Sequence, residues 1–77
     1  MLIFSNKERS DLYFMMVKYD NILPEFSDAL SKVIQNIYNK NDLLIIYNYM
    51  DYEESLDYED FLKIDEYLGL EIEIMLQ

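Results

Sequence analysis

The chain has 77 residues, 52% of them hydrophobic, which is enough for one small domain spanning 1–77 and excludes a second. Sixteen acidic residues against six basic ones leave a formal charge of −10, which argues against a direct grip on nucleic acid or an anionic membrane and calls for basic partners. With no Cys and no His, the chain can hold no disulfide framework, no thiolate or imidazole metal site, no Cys nucleophile and no Ser-His-Asp triad.

The opening Met1-Leu2-Ile3-Phe4 is followed at once by Ser5-Asn6-Lys7-Glu8-Arg9. It lacks the basic n-region and long apolar h-region of a secretory signal, so the expected compartment is the cytoplasm. Leu2–Phe4 reads as a short strand. Ser5 with Glu8 three residues on is a capping-box pattern, which places a helix over about Asn6 to Asp20. There Leu12, Met15, Met16 and Tyr19 match one helical face, while Tyr13, Phe14 and Val17 put apolar groups on the others, so a doubly buried helix and a strand both fit.

The firmest periodicity runs from Pro24 to Asn39. Phe26, Ala29, Leu30, Val33, Ile34, Ile37 and Tyr38 fall on one side of a helical wheel and Asp28, Ser31, Lys32, Gln35, Asn36 and Asn39 on the other. Pro24 suits the first turn, Glu25 complements the positive helix end, and Asn39-Lys40-Asn41-Asp42 reads as the turn that stops it. Leu43 to Tyr49 is rich in β-branched and aromatic residues over a strand-like length and is read as a strand, with a helix capped by Asn41 as the rival. Its apolar run, Leu43 to Tyr47, is far short of the ~20 residues a membrane-crossing helix needs.

Ser55 or Asp57 can cap a helix to Leu68 with Phe61, Ile64 and Leu68 inward and Glu59, Lys63 and Glu66 outward. Asp65 falls between Phe61 and Leu68 on the inner side, where it is expected at the core boundary with a local donor. Gly69 closes that helix, and the period-two tail Leu70-Glu71-Ile72-Glu73-Ile74-Met75-Leu76 reads as a strand. The expected order is β-α-α-β-α-β: an α+β fold with a three-stranded sheet packed against helices, the alternative being a mostly α-helical fold with a C-terminal strand.

Charge is split sharply along the chain. Residues 1–40 balance, five cations against five anions, whereas residues 41–77 hold eleven acids against Lys63 alone. The densest run is Asp51, Glu53, Glu54, Asp57, Glu59 and Asp60. General acid–base work by such groups needs a cleft that separates their pKa values, and so small a domain has little room for one; the chain is read as a binding module and not an enzyme. The acidic run contains no Gly for a calcium loop, and a single Gly in the chain rules out a phosphate cradle, so neither a metal nor a cofactor is expected.

Eight tyrosines exceed what so small a core can bury, and Tyr49, Tyr52, Tyr58 and Tyr67 lie among the acids. Aromatic anchors ringed by carboxylates make an interface, which comprises Tyr49, Asp51, Tyr52, Glu53, Glu54, Asp57, Tyr58, Glu59, Asp60, Glu66, Tyr67, Glu71 and Glu73. Segregated like charges repel, at up to about 1 kcal/mol for an exposed neighbouring pair, so their clustering points to a benefit outside the fold. On this reading charge reversal across Asp57, Glu59 and Asp60 slows association and leaves the fold intact.

In its size, its Lys/Asn/Ile/Tyr-rich composition and its one-sided acidity, the chain resembles small acidic phage-encoded inhibitors of host defence, including nucleic-acid mimics and anti-CRISPR proteins. That resemblance implies stoichiometric blocking of the basic nucleic-acid-binding surface of a host nuclease or CRISPR-type effector, in the host cytoplasm. Two alternatives stand beside it: an antitoxin or immunity protein that neutralises a basic toxin, and a self-assembling module that forms a homodimer through the open edge of the C-terminal strand.

Overall fold

Ser5 and Glu8 form the reciprocal cap their spacing suggests. The Glu8 N–H donates to Ser5 Oγ at 3.1 Å and the Ser5 N–H donates to Glu8 Oε1 at 2.8 Å, opening helix α1, Asn6–Tyr19. The computed structural model describes residues 2–51 and 55–77, and three more helices follow: α2 (Pro24–Ile34), α3 (Lys40–Asp51) and α4 (Tyr58–Met75). No strand occurs among the described residues, so the expected α+β sheet is overturned. Leu2–Phe4 has no regular structure, Leu43–Tyr49 lies inside α3, and the alternating tail is the last third of α4; the helical alternative fails at the same C-terminal strand.

Each misread boundary has a local cause. α2 ends five residues before Asn39 because Asn36 takes a left-handed conformation, φ 61°. The Asn36 N–H then donates to Val33 O at 3.0 Å and the Ile37 N–H to Lys32 O at 2.9 Å, a Schellman termination. Asn tolerates this conformation better than other residues with a Cβ, and its Nδ2 also donates to Leu2 O at 3.0 Å. Ile37, expected inward, is consequently 65% exposed. Asn39, not Asn41, opens α3: Asp42 N–H donates to Asn39 Oδ1 at 3.0 Å and Asn39 N–H to Asp42 Oδ2 at 2.9 Å.

Gly69 does not stop α4. Ile64, Leu68 and Ile72 recur every four residues and are all buried, so the helix continues through Gly69 and the alternation of the tail is outweighed. At 1.5 Å per residue its 18 residues run about 27 Å, the longest dimension of the molecule.

The helices close a ring, α1 on α2, α2 on α3, α3 on α4 and α4 back on α1. Leu12 and Met15 of α1, Phe26, Leu30 and Val33 of α2, Leu43 and Ile46 of α3, and Ile64 and Leu68 of α4 fill its centre almost without solvent contact. Each such side chain contributes on the order of 1.5–3 kcal/mol by leaving water. Tyr19 stands edge-on to Phe26 at 5.5 Å, and Phe26 to Tyr49 at 5.6 Å, a chain of rings from α1 to α3.

A polar node ties the end of α1 to the start of α4. The Tyr19 hydroxyl donates to Asp60 Oδ2 at 2.6 Å and accepts from the Asp57 N–H at 3.0 Å. Lys18 Nζ donates to the same Asp60 oxygen at 2.8 Å and also to Asp57 Oδ2. Asp60 is buried, so its carboxylate depends on these donors. Tyr19→Phe leaves that carboxylate with Lys18 alone and strands the Asp57 N–H, at an expected cost of about 1–3 kcal/mol. In a domain this size that lowers the thermal midpoint by about 4–8 °C per kcal/mol, as followed by circular dichroism; an unchanged midpoint would show that the node does not hold the ring closed.

Candidate functional site

The node decides which acids the fold leaves without a lysine. Asp57 and Asp60 are bound by Lys18, and Asp42, buried at the head of α3, lies 3.5 Å from Lys32 Nζ. Three acids of the second half are thus matched by lysines of the first. Asp57 and Asp60 belong to the fold, so charge reversal across them would disrupt it and not merely slow association. Tyr52, Glu53 and Glu54 lie outside the described residues.

The expected tyrosines divide in the same way. Tyr49 is half-buried against Phe26 with its hydroxyl 3.4 Å from Glu25 Oε2. Tyr67 turns toward α1, where its hydroxyl donates to Asp11 Oδ2 at 2.7 Å beside the Lys7 ammonium at 2.9 Å. Tyr58 is well exposed and stacks on Phe61 at 6.3 Å. Glu71 is half-buried and acts on the Tyr38 hydroxyl, whose pKa is raised by burial and then by that carboxylate. Asp51 is exposed at the C-terminal end of α3.

What remains together is the solvent face of α4. Glu59, Glu66 and Glu73 recur every seven residues, two turns or about 10.5 Å apart, and all three are exposed. Between them stand Leu62, Leu70 and Ile74, with Leu70 72% and Ile74 61% exposed. None of the three glutamates has an ion pair or side-chain hydrogen bond among the described residues. Asp65, expected at the core boundary, is exposed beside this face and likewise lacks a cation there.

Glu59, in the first turn of α4, suits the positive helix end, but neither the charge at the far end of this face nor its apolar exposure serves the helix. Glu73 lies in the last turn of α4, which has no basic residue, and Asp51 ends α3 in the same way. An anion at the negative end of a helix dipole costs roughly 0.3–1 kcal/mol. The exposure of Leu70 and Ile74 is not visible in a strand reading, which turns both into a core. The missed signal is the four-residue recurrence of Ile64, Leu68 and Ile72, which leaves no inward place for them. A second apolar patch, Tyr13, Phe14 and Val17 on the outer face of α1, resolves the ambiguity of that segment: it is a helix buried on one side, and Phe14 is 74% exposed.

Among the described residues no group of acids converges to hold a metal ion, and no helix is long and apolar enough to cross a membrane. A homodimer through a C-terminal strand has no strand edge to use, since those residues are helical. Compared with known proteins, the chain matches no family model, no curated sequence and no solved structure, so its functional reading rests on its own geometry.

The protonation of the node sets a pH limit. The hydrogen bond to Asp57, then that to Asp60, holds the Lys18 ammonium well above the usual lysine range. Burial, then the bond to Asp60, raises the Tyr19 hydroxyl. Both groups hold their protons more tightly folded than unfolded, so the stability they contribute is complete below their ordinary values of 10.0 (Tyr) and 10.5 (Lys) and is lost as pH rises beyond them. Asp11 behaves oppositely: Tyr67, then Lys7, holds it below its ordinary 3.8, and that contribution is lost as pH falls below this value. The urea midpoint is expected to fall above pH about 10, with a shallower fall in Lys18→Met; an identical alkaline limb in the variant would remove Lys18 as its source.

Proposed function

We propose that this protein is an acidic inhibitor that seats the exposed face of α4 on the basic nucleic-acid-binding surface of another protein, a nuclease or CRISPR-type effector, and blocks it stoichiometrically. The observation that carries the reading is the row Glu59, Glu66 and Glu73, uncompensated among the described residues and interleaved with exposed Leu62, Leu70 and Ile74. A row of this kind complements a surface on which spaced cations alternate with apolar ground, and its charge steers the encounter. Three carboxylates about 10.5 Å apart are too sparse to copy a strand that carries a phosphate every 3.4 Å along its axis. The apolar residues therefore supply contact that a pure phosphate mimic lacks. Asp51 extends the acidic surface at the end of α3. The compartment this reading calls for is the cytoplasm, that of the host cell for a phage-encoded chain.

The test is to recover the partner from a bacterial lysate and measure its binding to a labelled oligonucleotide in the presence of this protein. Equimolar competition is expected. The triple reversal Glu59→Lys, Glu66→Lys and Glu73→Lys should weaken competition by about tenfold or more, chiefly through the association rate, with a steep salt dependence and an unchanged circular dichroism spectrum. A partner with no affinity for nucleic acid, such as a small basic toxin, or a triple variant that competes as well as the native chain, would overturn the proposal.

A further inference from the structure

Gly69 is the only glycine of the chain, and it sits in the interior of α4, where glycine costs about 1 kcal/mol relative to alanine. The backbone does not require it, since its φ is not positive. Packing does not require it either: an added Cβ would meet only the carboxylate of Asp65, its Oδ1 at 3.2 Å, the far end of a flexible side chain. What the missing Cβ leaves is the floor of an open groove of about 340 Å³ between α3 and α4. Tyr47 and Met50 of α3 form one wall, and Ile72 of α4 with Leu76 at its C-cap the other. Asp65 and Glu73 also line the groove; their backbones lie four residues, about 6 Å along the axis, to either side of Gly69, and the Asp65 carboxylate leans toward Gly69. Both are exposed, and neither meets a cation among the described residues.

We infer that this groove seats one apolar side chain of a cationic helix of the partner protein, with Lys or Arg one turn before and one turn after that anchor meeting Asp65 and Glu73. The inference rests on the proposed basic partner and specifies the segment it presents: cation-x3-apolar-x3-cation on one helical face, the complement of Asp65-x3-Gly69-x3-Glu73. A glycine floor lets the two helix axes approach closely, and the apolar walls desolvate the anchor. A second copy of this chain does not fit. No helix here carries two cations eight residues apart, and two molecules of formal charge −10 repel.

The probe is a synthetic alanine-rich helical peptide of about 20 residues with Arg at i and i+8 and Leu at i+4, long enough to be helical in isolation, titrated against the full chain by fluorescence anisotropy. Gly69→Leu fills the groove and is expected to weaken binding about tenfold or more while holding or raising the thermal midpoint, because a helix-interior glycine has been replaced. Leu→Ser in the peptide should cost as much. Asp65→Asn with Glu73→Gln should weaken binding several-fold and reduce its salt dependence, whereas Glu59→Gln with Glu66→Gln should leave the loss on filling the groove unchanged. Equal affinity for native chain and Gly69→Leu, or for the Leu and Ser peptides, would show diffuse attraction only and overturn the inference. So would self-association in sedimentation that Gly69→Leu abolishes, since a second copy would then own the groove. The two proposals fail separately: competition with oligonucleotide that survives Gly69→Leu removes the groove alone, and groove binding without any such competition removes the nucleic-acid reading alone.

Discussion

The carboxylate of Asp60 lies out of water, and two donors from one turn of α1 meet it there. Tyr19 and Lys18 both reach its Oδ2, and the same pair takes up the N–H and carboxylate of Asp57. Removing either donor leaves a buried charge short of partners, which is costlier than losing an ordinary surface bridge. Together with the Tyr67–Asp11 hydrogen bond further along, this node fixes where α4 begins and how it lies against α1. The register of α4, and therefore which of its residues face solvent, follows from it.

That register explains why the acidity of the second half is not a single surface. The acids nearest the start of α4 and α3 are drawn into contacts with Lys18 and Lys32, so the balanced first half supplies the counter-charges the fold needs. Glu59, Glu66 and Glu73 of α4 form no ion pair among the described residues. They sit on a face that also exposes Leu62, Leu70 and Ile74, which a monomer gains nothing by exposing. Charge at the wrong end of a helix dipole, apolar groups left in water and a helix-interior glycine are three separate concessions. All three fall on α4, the helix on which the proposed partner would sit.

Several features were legible in the sequence because their physics is local. The Ser5–Glu8 cap involves residues three apart, and the inward faces of α1 and α2 follow from helical spacing; Leu12, Met15, Tyr19, Phe26, Ala29, Leu30 and Val33 are all buried. Pro24 begins α2 as its fixed φ favours. The placement of Glu59 and Glu66 on an outer helical face was equally readable. The role of Asp60 was not, because its partners are 41 and 42 residues away and nothing local distinguishes it from Glu59.

Composition and short-range pattern by themselves determined that this chain is strongly anionic in its second half, lacks the residues for thiol or imidazole chemistry, and carries a capping-box pattern at Ser5 and Glu8 and an amphipathic helix opened by Pro24. Only the tertiary structure decided between strand and helix for residues 6–20, 43–49 and 70–76, because these segments carry apolar groups on more than one face. Local propensity then leaves two conformations close in free energy, and the outcome turns on which one can bury Leu43, Ile46 and Ile72 against helices already in place. The same long-range packing left Leu70, Ile74 and the floor at Gly69 facing solvent. The exposed face of α4 is thus what remains once the core and the node have taken the residues they can reach.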